Sequence, residues 1–590
     1  MSTPLEHYAM IGDGETAALV DRDGSIDWLC WPRFDSGACF AALLGSPEQG
    51  RWSIHPADPV TRRSRRYQAD TVIMETDLHT ESGGVRITDF MPVRDGPSSL
   101  VRIVAGLHGQ VRLQMDLALR FDYGALPPWT EMSARAFTAR IGPDVVVLHA
   151  PVDLSWQGGR AGAGFTVRDG ERLAFVLRCA KSSEPDPPPV DAEAALVATQ
   201  RHWRGWIGRF DNGRTQWPEV VRRSLLTLKA LVYEPSGGLV AAPTTSLPEA
   251  PGGTMNWDYR FCWLRDAAFT VTALANAGYT GEAGRWRDWV LRAVAGRPAQ
   301  MRIMYRVDGG RQLHETEADL PGWNHARPVR IGNAAATQHQ VDVYGEVLRA
   351  LDLARRAGLA STEHERGALR LVAEHLEQVW SSPGSGIWES RAAPRHYTYS
   401  KAMAWAGLDT VRRRWAGAGG DPDGAARLEA LCGRIHADVL REGWNGGLGH
   451  FTEYYGGQEL DASLLLLPPA GFLPADDPRM AATVAAIGRE LDEGGLIRRK
   501  ARKPGGPDEG AFLACSCWMA DCLDMQGRRD EAAAQFERVL ALRNDVGLLS
   551  EEYDVPGRHL SGNFPQALTH LAVVNTALGL CGPVLGRGGG

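Results

Sequence analysis

The amino-acid sequence predicts a mostly α protein with an N-terminal β domain, on three observations. Up to about residue 182, apolar residues recur with period two or in short unbroken runs. Residues 182–189 hold four prolines and can continue neither a strand nor a helix. From about residue 217 to 580 the apolar spacing shifts to three and four, the stripe of an amphipathic helix. The expected division is a β-sandwich over 1–182, a linker and bridging helix over 183–216, and a helical domain over 217–590. A chain of 590 residues is in any case too long for one ordinary core.

In the first part, 101–105 and 111–119 alternate apolar and polar residues, as half-buried strands do. Residues 145–148 and 173–177 are continuous apolar runs suited to strands buried on both faces. Turns such as Arg168-Asp169-Gly170 separate them, and many short strands so linked imply a sandwich. Residues 191–210 read as a helix joining the two halves. The spacing then predicts helices over 218–233, 266–277, 281–295, 338–357, 363–380, 398–416, 425–442, 480–491, 511–526, 529–542 and 565–580. Helices of this number and length pair into a closed ring of hairpins or stack into a solenoid, and periodicity does not choose between them.

Composition excludes several classes. The net charge of -7 gives no reason to expect a nucleic-acid partner. No apolar run approaches about eighteen residues, so no membrane span is expected. The first residues lack a basic stretch followed by an apolar run. With nine scattered cysteines, that favours a cytoplasmic protein with reduced thiols. Cys515, Cys517 and Cys522 read as buried thiols. His314, Glu315 and Glu317 lack a further ligand at metal spacing, so neither metal nor cofactor is expected. Whether the chain forms a homo-oligomer is left open.

The compositional outlier is nineteen tryptophans, whose indole faces suit the C–H faces of sugar rings. Two acidic motifs stand among them, Gly386-Ile387-Trp388-Glu389 and Ser550-Glu551-Glu552. Hydrolysis of a glycosidic bond needs two carboxyls in unlike surroundings. One stays protonated for the leaving oxygen, and the other stays ionised to activate water. The apolar neighbours of Glu389 suit the first task. Glu551 and Glu552 are adjacent on an extended segment, so only one of them can face a pocket.

Further motifs accompany these two: IGDGETAALV at 11–20, DGSIDWLC at 23–30, PRFDS at 32–36, NWDYRFCWLRD at 256–266, RPVRIGNA at 327–334 and GNFPQA at 562–567. In this order the set resembles the glucoamylase-type glycoside hydrolases of family 15, in the bacterial branch with trehalases and isomaltose- or dextrin-acting enzymes. The resemblance implies a β-sandwich followed by an (α/α)6 barrel. It makes Glu389 the general acid, Glu551 the general base, and Glu552 a nearby hydrogen-bonding group. It has Arg265 and Asp266 grip the hydroxyls of the terminal glucose, although Asp266 also suits the cap of the helix after it. Trp257, Tyr259, Trp263 and Trp388 are expected on the pocket wall, with Trp323 and Arg327 at its rim. Arg391, Arg395 and His396 follow the acid and are expected to point away from it or to bind substrate or an anion.

The implied reaction is inverting, exo-acting hydrolysis of a small carbohydrate. The expected substrate is a short malto- or isomalto-oligosaccharide giving β-glucose from its non-reducing end, with trehalose as the nearest alternative. A phosphorylase is the rival class. Phosphate would replace water there, and a second carboxylate would repel it.

Overall fold

The computed structural model describes residues 2–417, 421–502 and 508–587. The first 181 residues form a strand-rich domain whose fifteen strands join through one long member, Ser98–Ala118. Its first half lies between Gly83–Phe90 and Arg172–Lys181, and its second half between Arg51–Pro56 and Arg160–Arg168. The two strands expected over 101–105 and 111–119 are therefore one. The exposed stretch His108-Gly109-Gln110 lets the chain pass from one sheet to the next without ending. Arg102, fully buried, ties the sheets together. It pairs with Asp89 in one and donates to the carbonyls of Trp52 and Gly24 in the other.

After the proline-rich stretch, twelve helices are present among the described residues. They are α1 (Ala192–Ile207), α2 (Pro218–Ala230), α3 (Ala267–Asn276), α4 (Thr280–Ala293), α5 (Val341–Arg356), α6 (Glu363–Val379), α7 (Thr398–Ala416), α8 (Pro422–Glu442), α9 (Pro478–Glu490), α10 (Leu513–Met525), α11 (Arg529–Leu540) and α12 (Ala567–Gly579). Helix α1 packs on the strands at its start and on Tyr279 at its end. Asp191 caps its start, Ala192 and Leu196 pack on the sheet at Phe90 and Val101, and Trp206 at its far end stacks on Tyr279.

Helices α3, α5, α7, the 3-10 helix Ala462–Leu466, α10 and α12 each pack on the next, and α12 returns to α3. Helices α2, α4, α6, α8, α9 and α11 lie outside them, each against an inner element. The inner helices α3, α10 and α12 are apolar nearly all round, while outer ones such as α6 and α9 carry one apolar stripe, as two layers require. The 3-10 element was not legible as a helix. Its Leu464-Leu465-Leu466-Leu467 run is stopped by Pro468-Pro469. Residues of the connections that enter the inner helices at their N-terminal ends, over 231–266, 294–340, 380–397, 491–502, 508–512 and 541–566, line one cavity.

Candidate active site

A cavity of about 330 Å³ opens among those connections. Eight of the eleven residues singled out from the sequence line it: Glu389, Glu551, Trp257, Tyr259, Trp263, Arg265, Asp266 and Trp388. The two acidic motifs, 162 residues apart in the chain, thus share one space.

Glu389 takes a left-handed backbone conformation, φ 56°. Its Oε1 accepts from the Trp263 indole at 2.6 Å and from Arg265 at 3.0 Å. The apolar setting expected for it is therefore not what it has. Ile387 is buried, and Trp388 turns its ring toward Phe512 and Trp518 and gives its indole N–H to Asp461. The left-handed turn then sends the next side chain back to Arg265. Of the three basic residues after it, Arg391 also lines the cavity, yet each has another partner. Arg391 pairs with Glu315 and stacks on Trp257, Arg395 lies over Tyr454, and His396 stacks on Tyr455.

Glu551 is in the apolar position instead, 1% exposed. Its Oε1 accepts from the Tyr259 hydroxyl at 2.6 Å and from the Gln566 amide at 3.2 Å, while its buried Oε2 has no protein partner. Burial, and then the negative charge of Glu249, push its carboxyl up to about 8, against the pull of Arg499. Tyr259 and Trp263 meet edge to face, ring centres 5.3 Å apart, so neighbouring aromatic rings hold the two carboxyls. Glu552 points away from the cavity, accepts from the Gly510 amide and lies 3.3 Å from Arg499.

Asp266 stands at the N-cap position of α3, yet its side chain makes no cap hydrogen bond. The carboxyl faces the cavity, where burial raises it to about 6 against the opposing charge of Arg265. Arg265 also reaches Gln340 at 3.2 Å.

Two expected rim residues lie elsewhere. Trp323 is buried, donates to the carbonyl of Thr3 at 2.9 Å and meets His559. Arg327 is exposed, 3.7 Å from Asp319. Gly322, Asn324 and His325 all have positive φ, and this turn carries the segment toward the N-terminus rather than the cavity.

Sequence reasoning missed Glu249, Phe269, Arg499, Lys500, Glu509, Phe512, Trp518 and Gln566, all of which line the cavity. Gln566 lay inside the GNFPQA motif. Glu249 carried no local signal. Glu249, Glu509 and Glu552 bring oxygens within 4.8 Å of one another, the one such three-carboxylate group among the described residues. The guanidinium of Arg499 pairs with all three and fills the place a cation would need. Glu315 pairs with Arg330 and Arg391.

The family model for glycosyl hydrolases family 15 matches residues 218–578, and one for a trehalase-like N-terminal domain matches residues 1–203. The chain belongs to glycoside hydrolase family 15 and is a glycosidase. It is similar to the trehalase of Mycobacterium tuberculosis, 35% identical over 98% of this chain and 89% of that one. It is also similar to the trehalase of Thermoplasma volcanium, 32% identical over 97% of this chain and 93% of that one. In structure it resembles a bacterial glucoamylase complexed with acarbose, with a TM-score of 0.75, 13% identity, and coverage of 98% and 95% of the two chains. The fold is glucoamylase-like.

Proposed function

We propose that this glycosidase hydrolyses α,α-trehalose with inversion at the attacked carbon. The observation that carries the chemistry is the shared cavity of Glu389 and Glu551. The choice of substrate is supported by relatives that carry the name trehalase and align over almost the whole chain. It replaces the malto- or isomalto-oligosaccharide expected first. In the same reading the strand-rich domain (1–182) is a β-sandwich, 183–216 a linker and bridging helix, and 217–590 an (α/α)6 barrel. The return of α12 to α3 supports the barrel.

Arg265 and Asp266 bind hydroxyls of the attacked glucose at the start of α3, where the charged fork leaves a poorly matched sugar with unpaired partners. Trp388 and Trp518 offer apolar walls to the ring. When sugar hydroxyls take the N–H groups of Arg265, Glu389 is left with the Trp263 indole and the bridging oxygen, to which it gives its proton. The carboxylate of Glu551 accepts a proton from water, and the water oxygen bonds to the anomeric carbon as that carbon's bond to the bridging oxygen breaks. One water is consumed, and two glucose molecules leave.

The test is a panel of trehalose, maltose and isomaltose, with the product anomers followed by NMR. Trehalose is expected to have the highest kcat/KM and to yield α- and β-glucose in equal amounts at early times. Preference for another disaccharide overturns the substrate. Release of α-glucose alone overturns inversion.

A further inference from the structure

We infer that Gln566 is a positioning residue for the base, an amide latched so that only an N–H can face Glu551. The inference rests on the reading of Glu551 as general base. Gln566 is the N-cap of α12, and its Oε1 accepts from Thr569, from the backbone N–H at 3.3 Å and from the hydroxyl at 2.6 Å. An amide whose oxygen is so engaged presents its NH2 at the other end. There Nε2 lies 3.2 Å from Oε1 of Glu551. The residue is 3% exposed, and its backbone N–H donates to Leu549, two residues before the base. The cap of one inner helix thereby fixes both the place and the polarity of a group in the cavity.

Polarity matters because of what else faces Glu551. Tyr259 donates to it from the segment before α3, and Arg499 attracts it from the segment before α10. Glu249, from the segment after α2, opposes its ionisation. Glu552 adds a further carboxyl next door, and His570 on α12 is kept uncharged by burial. A donor locked toward the carboxyl favours the charged form that takes a proton from water. A carboxylate or a turned amide at this place would disfavour it.

The experiment is the pH dependence of kcat/KM on trehalose for Gln566→Leu and Thr569→Val. Loss of a hydrogen bond to a charged group should move the acid limb of Gln566→Leu up by about one to two pH units, a ten- to hundredfold change in ionisation. Its activity should recover as the pH is raised. Thr569→Val, which frees the amide to turn, should move the limb the same way by less. Loss that is equal at every pH means that Gln566 contacts substrate instead. A fall in melting temperature with an unmoved limb means that it only caps the helix. Either result overturns the inference. If Gln566→Leu does not fold, Thr569→Val decides alone, and an unmoved limb overturns the inference. The control is Glu551→Gln. If it stays active, the assignment of the base fails. If it is inactive while the Gln566→Leu limb stays put, this inference alone fails.

Discussion

Replacing Glu551 by glutamine is the sharpest test of the active-site reading, because the surroundings dictate which way the new amide lies. The Tyr259 hydroxyl at 2.6 Å and the Gln566 amide at 3.2 Å converge on Oε1, so the amide oxygen of a glutamine takes that place. Its NH2 then occupies the place of Oε2, the oxygen without a protein partner. The group that should accept a proton from water becomes a donor. General base catalysis contributes about 10²–10⁴-fold, and this inverted polarity places Glu551→Gln toward the larger loss. Stability should hardly change. Glu551 is pushed up to about 8, so near neutrality it is mostly the uncharged acid, which an amide matches in shape. The assay is steady-state release of glucose from trehalose, with a thermal melt beside it. A second arm uses Glu551→Ala with azide, which should attack the open face and give β-glucosyl azide. If Glu551→Gln keeps more than about a hundredth of the wild-type rate with its fold intact, the base is elsewhere and the mechanism above is wrong.

Three further outcomes follow. The base must be ionised and its carboxyl is held near 8, so the acid limb of kcat/KM on trehalose should fall in the neutral range; a limb already complete below pH 6 would contradict this. Glu551 at about 8, Glu249 and Glu346 at about 7 and Asp266 at about 6 are all raised by burial above their unfolded values, so the folded state binds more protons in between. The stability they contribute is full below about pH 4 and is lost as the pH rises through 6 to 8, so the melting temperature should be lower at pH 8.5 than at pH 5.5. Arg499→Met removes the cation that neutralises Glu249, Glu509 and Glu552 and should cost about 3–5 kcal/mol in urea unfolding followed by tryptophan fluorescence. A loss under about 1 kcal/mol would show that the cluster protonates instead.

Much of this was legible before any coordinates. All eleven helices expected over 218–580, and the helix expected over 191–210, have counterparts, most with ends displaced by only a few residues, because outer helices leave an apolar stripe and inner ones a long apolar run in the chain. The strand that crosses two sheets was not legible, since a change of sheet leaves the period of two intact. In the site, motif residues such as Glu389, Arg265 and Tyr259 were found because each stood in a motif shared with a family. Trp323 and Arg327 stood in comparable stretches, yet three residues with positive φ carry them away. Glu249 and Arg499 could not be found from spacing at all. Their meaning lies in a contact spanning 250 residues of chain.

The electrostatics were the least legible part, for one physical reason. The apolar letters before Glu389 and the acidic neighbour of Glu551 describe the chain, while ionisation answers to space. The run Gly386-Ile387-Trp388 packs its side chains into the wall, and the carboxyl beyond them meets a guanidinium. Glu551 follows Leu548-Leu549-Ser550, and α12, Tyr259 and the Arg499 cluster close over it. The cavity thus sets a cation beside the proposed proton donor and burial around the proposed proton acceptor. On the proposed mechanism, sugar hydroxyls take the N–H groups of Arg265 that otherwise meet Glu389, so the proton donor is freed only when the glucose is in place. A glucoside lacking the hydroxyls that Arg265 and Asp266 bind should therefore lose kcat as well as affinity.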